Sequence, residues 1–266
     1  MNLIHSAVLG LVQGLTEFIP VSSSAHLIFV RSLLGENGAT GLAFDAVLQL
    51  ATILAVVIYF RKDLWRLLVS LMRWVGQKEV VETDKTMIKA LIIGTIPAVV
   101  AGLLLEKYME TVFRGLPLIA LTLILGSILF FVAEKYAKGD STLTLKKGVI
   151  VGLFQCLALI PGMSRSGMTI SGGLFMGLTR EAAARFSFLL SFPIIFGSGL
   201  KKLLDLYKGG LIGSIGPDLL LASAIAFVVG LISIHFLITF LKNNSLRSFA
   251  WYRIALAVVI LCVGLL

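Results

Sequence analysis

The sequence predicts an all-α polytopic membrane protein, built as an inverted-topology repeat of six transmembrane helices plus two re-entrant helix-break-helix segments. Three observations carry this expectation. Of 266 residues, 58% are hydrophobic and only 14% charged, where a soluble domain carries roughly 25% charged. Apolar runs long enough to cross a bilayer recur along the chain. Finally, two polar interruptions resemble each other: Gln13-Gly-Leu-Thr-Glu-Phe-Ile-Pro-Val-Ser-Ser-Ser-Ala-His26 and Gln155-Cys-Leu-Ala-Leu-Ile-Pro-Gly-Met-Ser-Arg-Ser-Gly-Met-Thr169. Gln13 matches Gln155, Pro20 matches Pro161, and Ser22-Ser23-Ser24 matches Ser164-Arg165-Ser166 with one residue of slack.

The first broken segment covers 3–34. Ile19 precedes Pro20, which biases it away from helical dihedrals, and the freed backbone groups need partners inside protein or a wet cavity. Spans follow at 42–60, 88–105 and 117–133. Between the first two, the loop at 61–89 contains Leu64-Trp65-Arg66-Leu67-Leu68 and Leu71-Met72-Arg73-Trp74, whose mixed apolar and basic character suits an interfacial amphipathic helix. These elements make a first repeat over 1–138. A cytoplasmic linker, 139–146, includes Gly139-Asp140-Ser141-Thr142. The second repeat, 147–266, runs in the same order: a broken segment at 147–177, where Ile160 precedes Pro161, then spans at 182–200, 219–240 and 249–266. Three spans per repeat is an odd number, so the second repeat enters the membrane inverted.

Charge supports this layout. With loops 61–89, 134–147, 178–185 and 241–253 inside, 16 of the 23 Lys and Arg lie on the cytoplasmic side, as basic residues of membrane proteins do. Arg31, Lys107, Arg114, Lys201, Lys202 and Lys208 remain outside, the long side chains of the cluster Lys201, Lys202 and Lys208 reaching headgroups, and Arg165 belongs to the core. The net charge of +9 is therefore a topology signal; no soluble basic domain exists to bind nucleic acid. Cys156 and Cys262 lie in apolar runs and read as packing residues. The N-terminus lacks the basic region and cleavage site of a secretory signal, so Met1 is expected in the mature chain.

Ionisable and hydroxyl groups placed where hydrocarbon belongs mark a functional site. Gln13 and Glu17, four residues apart, share a helix face. Any of Ser22, Ser23 and Ser24 could cap a helix running to about Leu34, with His26 in its first turn. In the second break Pro161-Gly162 turns the chain, Ser164 and Ser166 are candidate caps, and a helix begins near Gly167. Two inverted half-helix N-termini facing one midplane form an anion site, and the forked donors of Arg165 suit phosphate oxygens. A hydroxyl, histidine, carboxylate and arginine around an anion cradle are the parts needed for phosphoryl transfer.

Plainer roles compete at each position. Ser22 and Ser24 can be caps or close helix contacts, Gln13 a bridge to freed backbone groups, and Glu17 with Arg165 a structural ion pair. His5 and His235 read as packing or interfacial residues. Glu106, Glu110, Glu134 and Asp140 flank spans as loop charges.

Gln13-x-x-x-Glu17 with its trailing Pro20-x-Ser-Ser and His26 resembles the first motif of the undecaprenyl-diphosphatase (bacitracin-resistance) family. Pro161-Gly-Met-Ser-Arg-Ser-Gly-Met-Thr169 resembles the Pro-Gly-x-Ser-Arg-Ser-x-x-Thr motif of that family. The similarity extends over essentially the whole chain. Gln13 stands where a glutamate is also found, which argues against an indispensable acid there. The resemblance implies hydrolysis of undecaprenyl diphosphate to the monophosphate and phosphate at the outer face of the bacterial plasma membrane, recycling the carrier lipid for peptidoglycan synthesis. It implies catalytic roles for Ser23, Glu17, His26 and Arg165. Substrate binding then falls to Gln13, Ser22, Ser24, Gly162, Ser164, Ser166 and Thr169. Ser23 is the expected nucleophile; whether Glu17 or His26 is its base is left open.

A divalent cation, Mg²⁺ or Ca²⁺, is also implied, but Glu17 alone is a thin site, so the metal would arrive with the diphosphate. Expected partners are the polyprenyl diphosphate and membrane lipids, with a homodimer as one assembly and no nucleic acid. The main rival function is a transporter or flippase of a phosphorylated lipid on the same fold. An intramembrane serine protease using Ser23 and His26 leaves Arg165 and the paired cradles unexplained.

Overall fold

The computed structural model describes residues 2–36, 41–111, 115–139, 142–208 and 216–264. Arg114, Asp140 and Ser141 lie outside the described residues, as do the side chains of Glu106, Lys107, Glu110 and Lys202. The first broken segment forms α1 (Leu3–Thr16) and α2 (Ser23–Leu34), followed by α3 (Gly41–Tyr59), α4 (Arg61–Val75), α5 (Glu82–Thr111) and α6 (Leu116–Tyr136). The second forms α7 (Leu145–Leu157) and α8 (Arg165–Phe175), followed by α9 (Arg180–Lys208), α10 (Pro217–Asn243) and α11 (Arg247–Gly264). No strand forms among the described residues.

This is a multi-pass membrane protein. The stretches Glu82–Leu105, Leu116–Tyr136, Arg180–Lys201 and Pro217–Asn243 are each long and apolar enough to cross a bilayer. Phe44–Tyr59 adds a fifth when joined with α4, although that pair bends by 79°. Large apolar side chains such as Leu104 of α5, Leu121 and Ile128 of α6, and Leu220 and Ile232 of α10 face outward, as helices surrounded by lipid require. Along α4, Trp65, Leu68, Met72 and Val75 are exposed while Leu67 and Ser70 are buried, so an outward apolar row runs beside the basic residues.

Close helix contacts need small residues where the backbones meet. Gly10 and Gly14 let α1 seat against Ala222 and Ala226 of α10. Gly148 and Gly152 do the same for α7 against Ala90 and Gly94 of α5. Each broken segment thus packs on a helix of the other half of the chain. At the centre, Phe18 is fully buried, and its ring meets Phe188 of α9 edge-on at 5.5 Å, anchoring the residue next to Glu17.

Three expected loop charges are corrected. Glu134 is buried: both its oxygens accept from Nε of Arg180 at 3.1 Å, Oε2 accepts from Nη2, and Oε1 caps the Leu246 N–H at 2.7 Å. It ties the end of α6 to the starts of α9 and α11. Arg31, assigned to an outer loop, is buried in the last turn of α2 with Nη2 2.6 Å from Asp45 of α3. Arg253, counted with the loop at 241–253, is fully buried within α11. Moving Arg31 and Arg253 out of the loops leaves the bias of basic residues unchanged in direction. His5, half-buried, pairs with Glu36 at 2.8 Å, and His235, exposed, meets the Tyr59 hydroxyl at 3.1 Å.

Candidate functional site

Each break uses the same backbone device. Ser22 caps α2 at φ 75°, its Oγ accepting the Ala25 N–H at 3.4 Å. Ser164 caps α8 at φ 72°, its Oγ accepting the Gly167 N–H at 3.3 Å. The cap hydroxyl pairs with the serine two residues on in both copies, Ser22 with Ser24 at 3.2 Å and Ser164 with Ser166 at 3.3 Å. Left-handed dihedrals cost a residue with a Cβ about 1–2 kcal/mol, and such strain concentrates at functional sites.

This geometry locates the one residue of slack. Gln to cap is the same separation in both copies; the proline alone is displaced, Pro161 standing one residue earlier than Pro20 and being followed by Gly162 at φ +96°. The second half-helix therefore starts at Arg165 and not near Gly167. Ser23 and Arg165 hence hold the same position, the first residue of their half-helices.

Both of those residues reach Glu17. The Ser23 hydroxyl donates to Glu17 Oε2 at 2.7 Å, and Arg165 Nη2 donates to Glu17 Oε1 at 2.5 Å. Gln13 Nε2 also donates to Oε2, at 3.0 Å, as two groups one helical turn apart can. Glu17 is the C-cap of α1, still at helical dihedrals and with its N–H bonded to Gln13 O at 3.0 Å, so the carboxylate sits on rigid backbone. Its side chain is 5% exposed and that of Arg165 is 15% exposed. The buried ion pair is formed, and the serine hydroxyl sits against it. In the second copy Gln155 has no acid one turn on, since Leu159 stands there, and neither of its buried amide atoms has a protein partner.

The remaining expected residues divide in two groups. Thr169 lies behind Arg165: its hydroxyl donates to Arg165 O at 2.8 Å and pairs with Ser187 Oγ at 2.6 Å. Gly162 lies in the turn, where its carbonyl accepts from Arg253 Nη2 at 2.9 Å. His26 does not touch Ser23, Glu17 or Arg165 in the contacts formed; Nδ1 is 2.8 Å from Ser22 O and Nε2 is 2.9 Å from the Tyr252 hydroxyl.

Several contributors are ones that the sequence reading passed over. Arg253 also donates to Ser127 Oγ and Leu123 O, each at 3.2 Å. Thr122 donates to Pro161 O at 2.7 Å. Together with Tyr252 and Ser187, these hold the breaks in place. The available signal was Tyr252-Arg253 at the head of an apolar run, an arginine inside a span being a functional marker in its own right.

Among the described residues, no group of three His, Cys, Asp or Glu could hold a metal ion. Both Glu17 oxygens already face donors. The described residues do not fit a resident divalent cation.

A family model described as Bacitracin resistance protein BacA matches residues 6–259. An undecaprenyl-diphosphatase of Corynebacterium striatum is 47% identical over 268 residues, covering 99% of this chain and 95% of its own length. One from Thermobifida fusca (strain YX) is 46% identical over 267 residues, covering 99% and 90%. One from Trichlorobacter lovleyi is 44% identical over 273 residues, covering 100% of both.

Proposed function

The chain belongs to the bacitracin resistance protein family, and from that premise we propose that it hydrolyses undecaprenyl diphosphate to undecaprenyl phosphate and inorganic phosphate. Its place is then the recycling of the carrier lipid for peptidoglycan synthesis. One observation carries the catalytic reading: Glu17 joins the first residue of each half-helix, Ser23 on one side and Arg165 on the other.

The terminal phosphate of the substrate enters between the N-termini of α2 and α8, whose unpaired N–H groups and positive ends favour an anion. Arg165 transfers its fork from Glu17 to the phosphate oxygens. Glu17, released from Arg165, takes the proton of Ser23. The Ser23 oxygen bonds to the terminal phosphorus as the bond to the bridging oxygen breaks, and undecaprenyl phosphate leaves with that oxygen. Glu17 passes its proton to the departing oxygen and, again a carboxylate, takes a proton from the water that attacks the phosphoserine; phosphate departs as Glu17 returns that proton to the Ser23 oxygen. Gln13 holds the Glu17 carboxylate for these steps. Ser22, Ser24, Ser164, Ser166 and Gly162 shape the cradle, and Thr169 supports Arg165 from behind. His26 supports the serine cap and does not serve as the base, because both its ring nitrogens are engaged away from Ser23.

The finer architecture belongs to the same reading. The two halves, 1–138 and 147–266 about the linker 139–146, form an inverted repeat of six spans, α3, α5, α6, α9, α10 and α11, with two re-entrant pairs. The matched strained caps and the exchange of packing partners, α1 on α10 and α7 on α5, support it. The basic-residue bias supports a site facing the outer side of the plasma membrane. A divalent cation, where one takes part, comes with the substrate as counter-ion to the diphosphate oxygens.

Phosphate release from C55 diphosphate by detergent-purified protein, measured with and without EDTA, tests the proposal. Release is expected. Movement of the lipid across vesicles without any release would instead make the protein a transporter.

A further inference from the structure

Helix α11 presents two consecutive residues to the two breaks. Arg253 grips the second: Nη2 donates to Gly162 O at 2.9 Å, in a turn also held by Thr122 on Pro161 O at 2.7 Å. Tyr252 reaches the first through His26. The Ser22 carbonyl can only accept, so His26 Nδ1, 2.8 Å away, carries the ring proton. Nε2 of the neutral ring is then an acceptor, filled by the Tyr252 hydroxyl at 2.9 Å. The two rings are parallel, with an interplanar angle of 2° and centroids 5.7 Å apart.

A chain of hydrogen bonds thus runs from Tyr252 to His26 to the Ser22 carbonyl. That carbonyl shares its peptide plane with the Ser23 N–H, and Ser22 is the strained residue at φ 75°. Fixing the carbonyl fixes the plane from which the Ser23 side chain is aimed at Glu17. Strained conformations persist only where their surroundings hold them.

We propose that Tyr252 is a positioning residue for hydrolysis: through His26 it clamps the Ser22–Ser23 peptide plane while its neighbour Arg253 clamps the Pro161–Gly162 turn, so that one helix sets both half-sites. This rests on the reading of Ser23 as nucleophile. Tyr252 is 48% exposed, and exposed aromatic rings of membrane proteins also serve as interfacial anchors. Tyr252→Phe separates the two roles, because it keeps the ring and removes only the hydroxyl.

Removing one neutral hydrogen bond is expected to lower kcat by about 5- to 10-fold, with KM and the thermal midpoint unchanged. In a His26→Ala background the same change is expected to have no further effect. Imidazole nitrogen NMR on histidine-labelled protein is expected to show His26 as the Nδ1–H tautomer, and a mixed or shifted state in Tyr252→Phe. Unchanged kcat, an equal loss in both backgrounds, or an Nε2–H tautomer in the wild-type protein would each overturn the proposal. The NMR arm reads the clamp without turnover, so a wild-type protein that releases no phosphate, which defeats the hydrolase reading, is distinguished from an absent clamp.

Discussion

Replacing Glu17 by Gln keeps the shape of the side chain and removes the charge on which both half-helices converge. Three donors point at this carboxylate: Arg165 at 2.5 Å, Ser23 at 2.7 Å and Gln13 at 3.0 Å. The new amide can keep its oxygen toward Arg165 and turn its NH₂ toward Ser23 and Gln13. Gln13 Oε1 has no partner at present, so a flip of that amide accommodates the new donor. Geometry survives and electrostatics do not. Leaving a buried cation uncompensated costs about 3–5 kcal/mol, and a chain of this size loses roughly 2–4 °C per kcal/mol. The thermal midpoint should therefore fall by about 6–20 °C. Loss of the base should lower kcat by about 10²–10⁴, or roughly 3–5 kcal/mol of barrier. Phosphate release is measured well below the lowered midpoint, so that folded protein is compared with folded protein. A Glu17→Gln enzyme that is folded and keeps more than about a tenth of wild-type kcat would refute the reasoning, since general-base loss is worth at least about 10².

Two further substitutions test neighbouring parts of the account. Arg165→Lys keeps the charge and loses the fork, so kcat/KM for the lipid diphosphate should fall by about 10- to 100-fold; equal activity would contradict a bidentate phosphate clamp. Gly162→Ala should lower the thermal midpoint, because a Cβ at φ +96° meets Thr122 Oγ1 and the Ile119 carbonyl and the backbone strain alone is about 1–2 kcal/mol; a midpoint equal to wild type, read by differential scanning fluorimetry, would contradict the turn geometry.

Local patterns were legible in the sequence wherever the physics is local. Proline after Ile19 and Ile160 marks both breaks, and serines just beyond them mark the caps Ser22 and Ser164. Gln13 and Glu17 meet because their spacing is that of a helical turn. The mixed apolar and basic stretch after Tyr59 does form a helix, α4, turned sharply from the span before it. What escaped was set by partners distant in the chain. Glu134 and Arg253 stand at the edges of apolar runs, where each also reads as a loop charge. The first is buried by Arg180 and the Leu246 N–H, and the second by carbonyls of Leu123 and Gly162. His26 lies close to Ser23 in the chain, which leaves it open as a base beside Glu17; the partners of its ring come from Ser22 and from Tyr252 on the far helix α11. The sequence places the start of α8 two residues late because Ser164 and Ser166 are both open to it as caps, and the fold uses Ser164.

The most direct test of the account is phosphate release by Ser23→Ala beside wild type, in detergent-purified protein with C55 diphosphate as substrate. The change removes only the hydroxyl that donates to Glu17 at 2.7 Å and leaves the Glu17–Arg165 pair intact. Wild-type protein should release phosphate, and Ser23→Ala should lose at least about 10³ of that rate, as removal of an activated nucleophile does. Near wild-type release by Ser23→Ala would contradict the account.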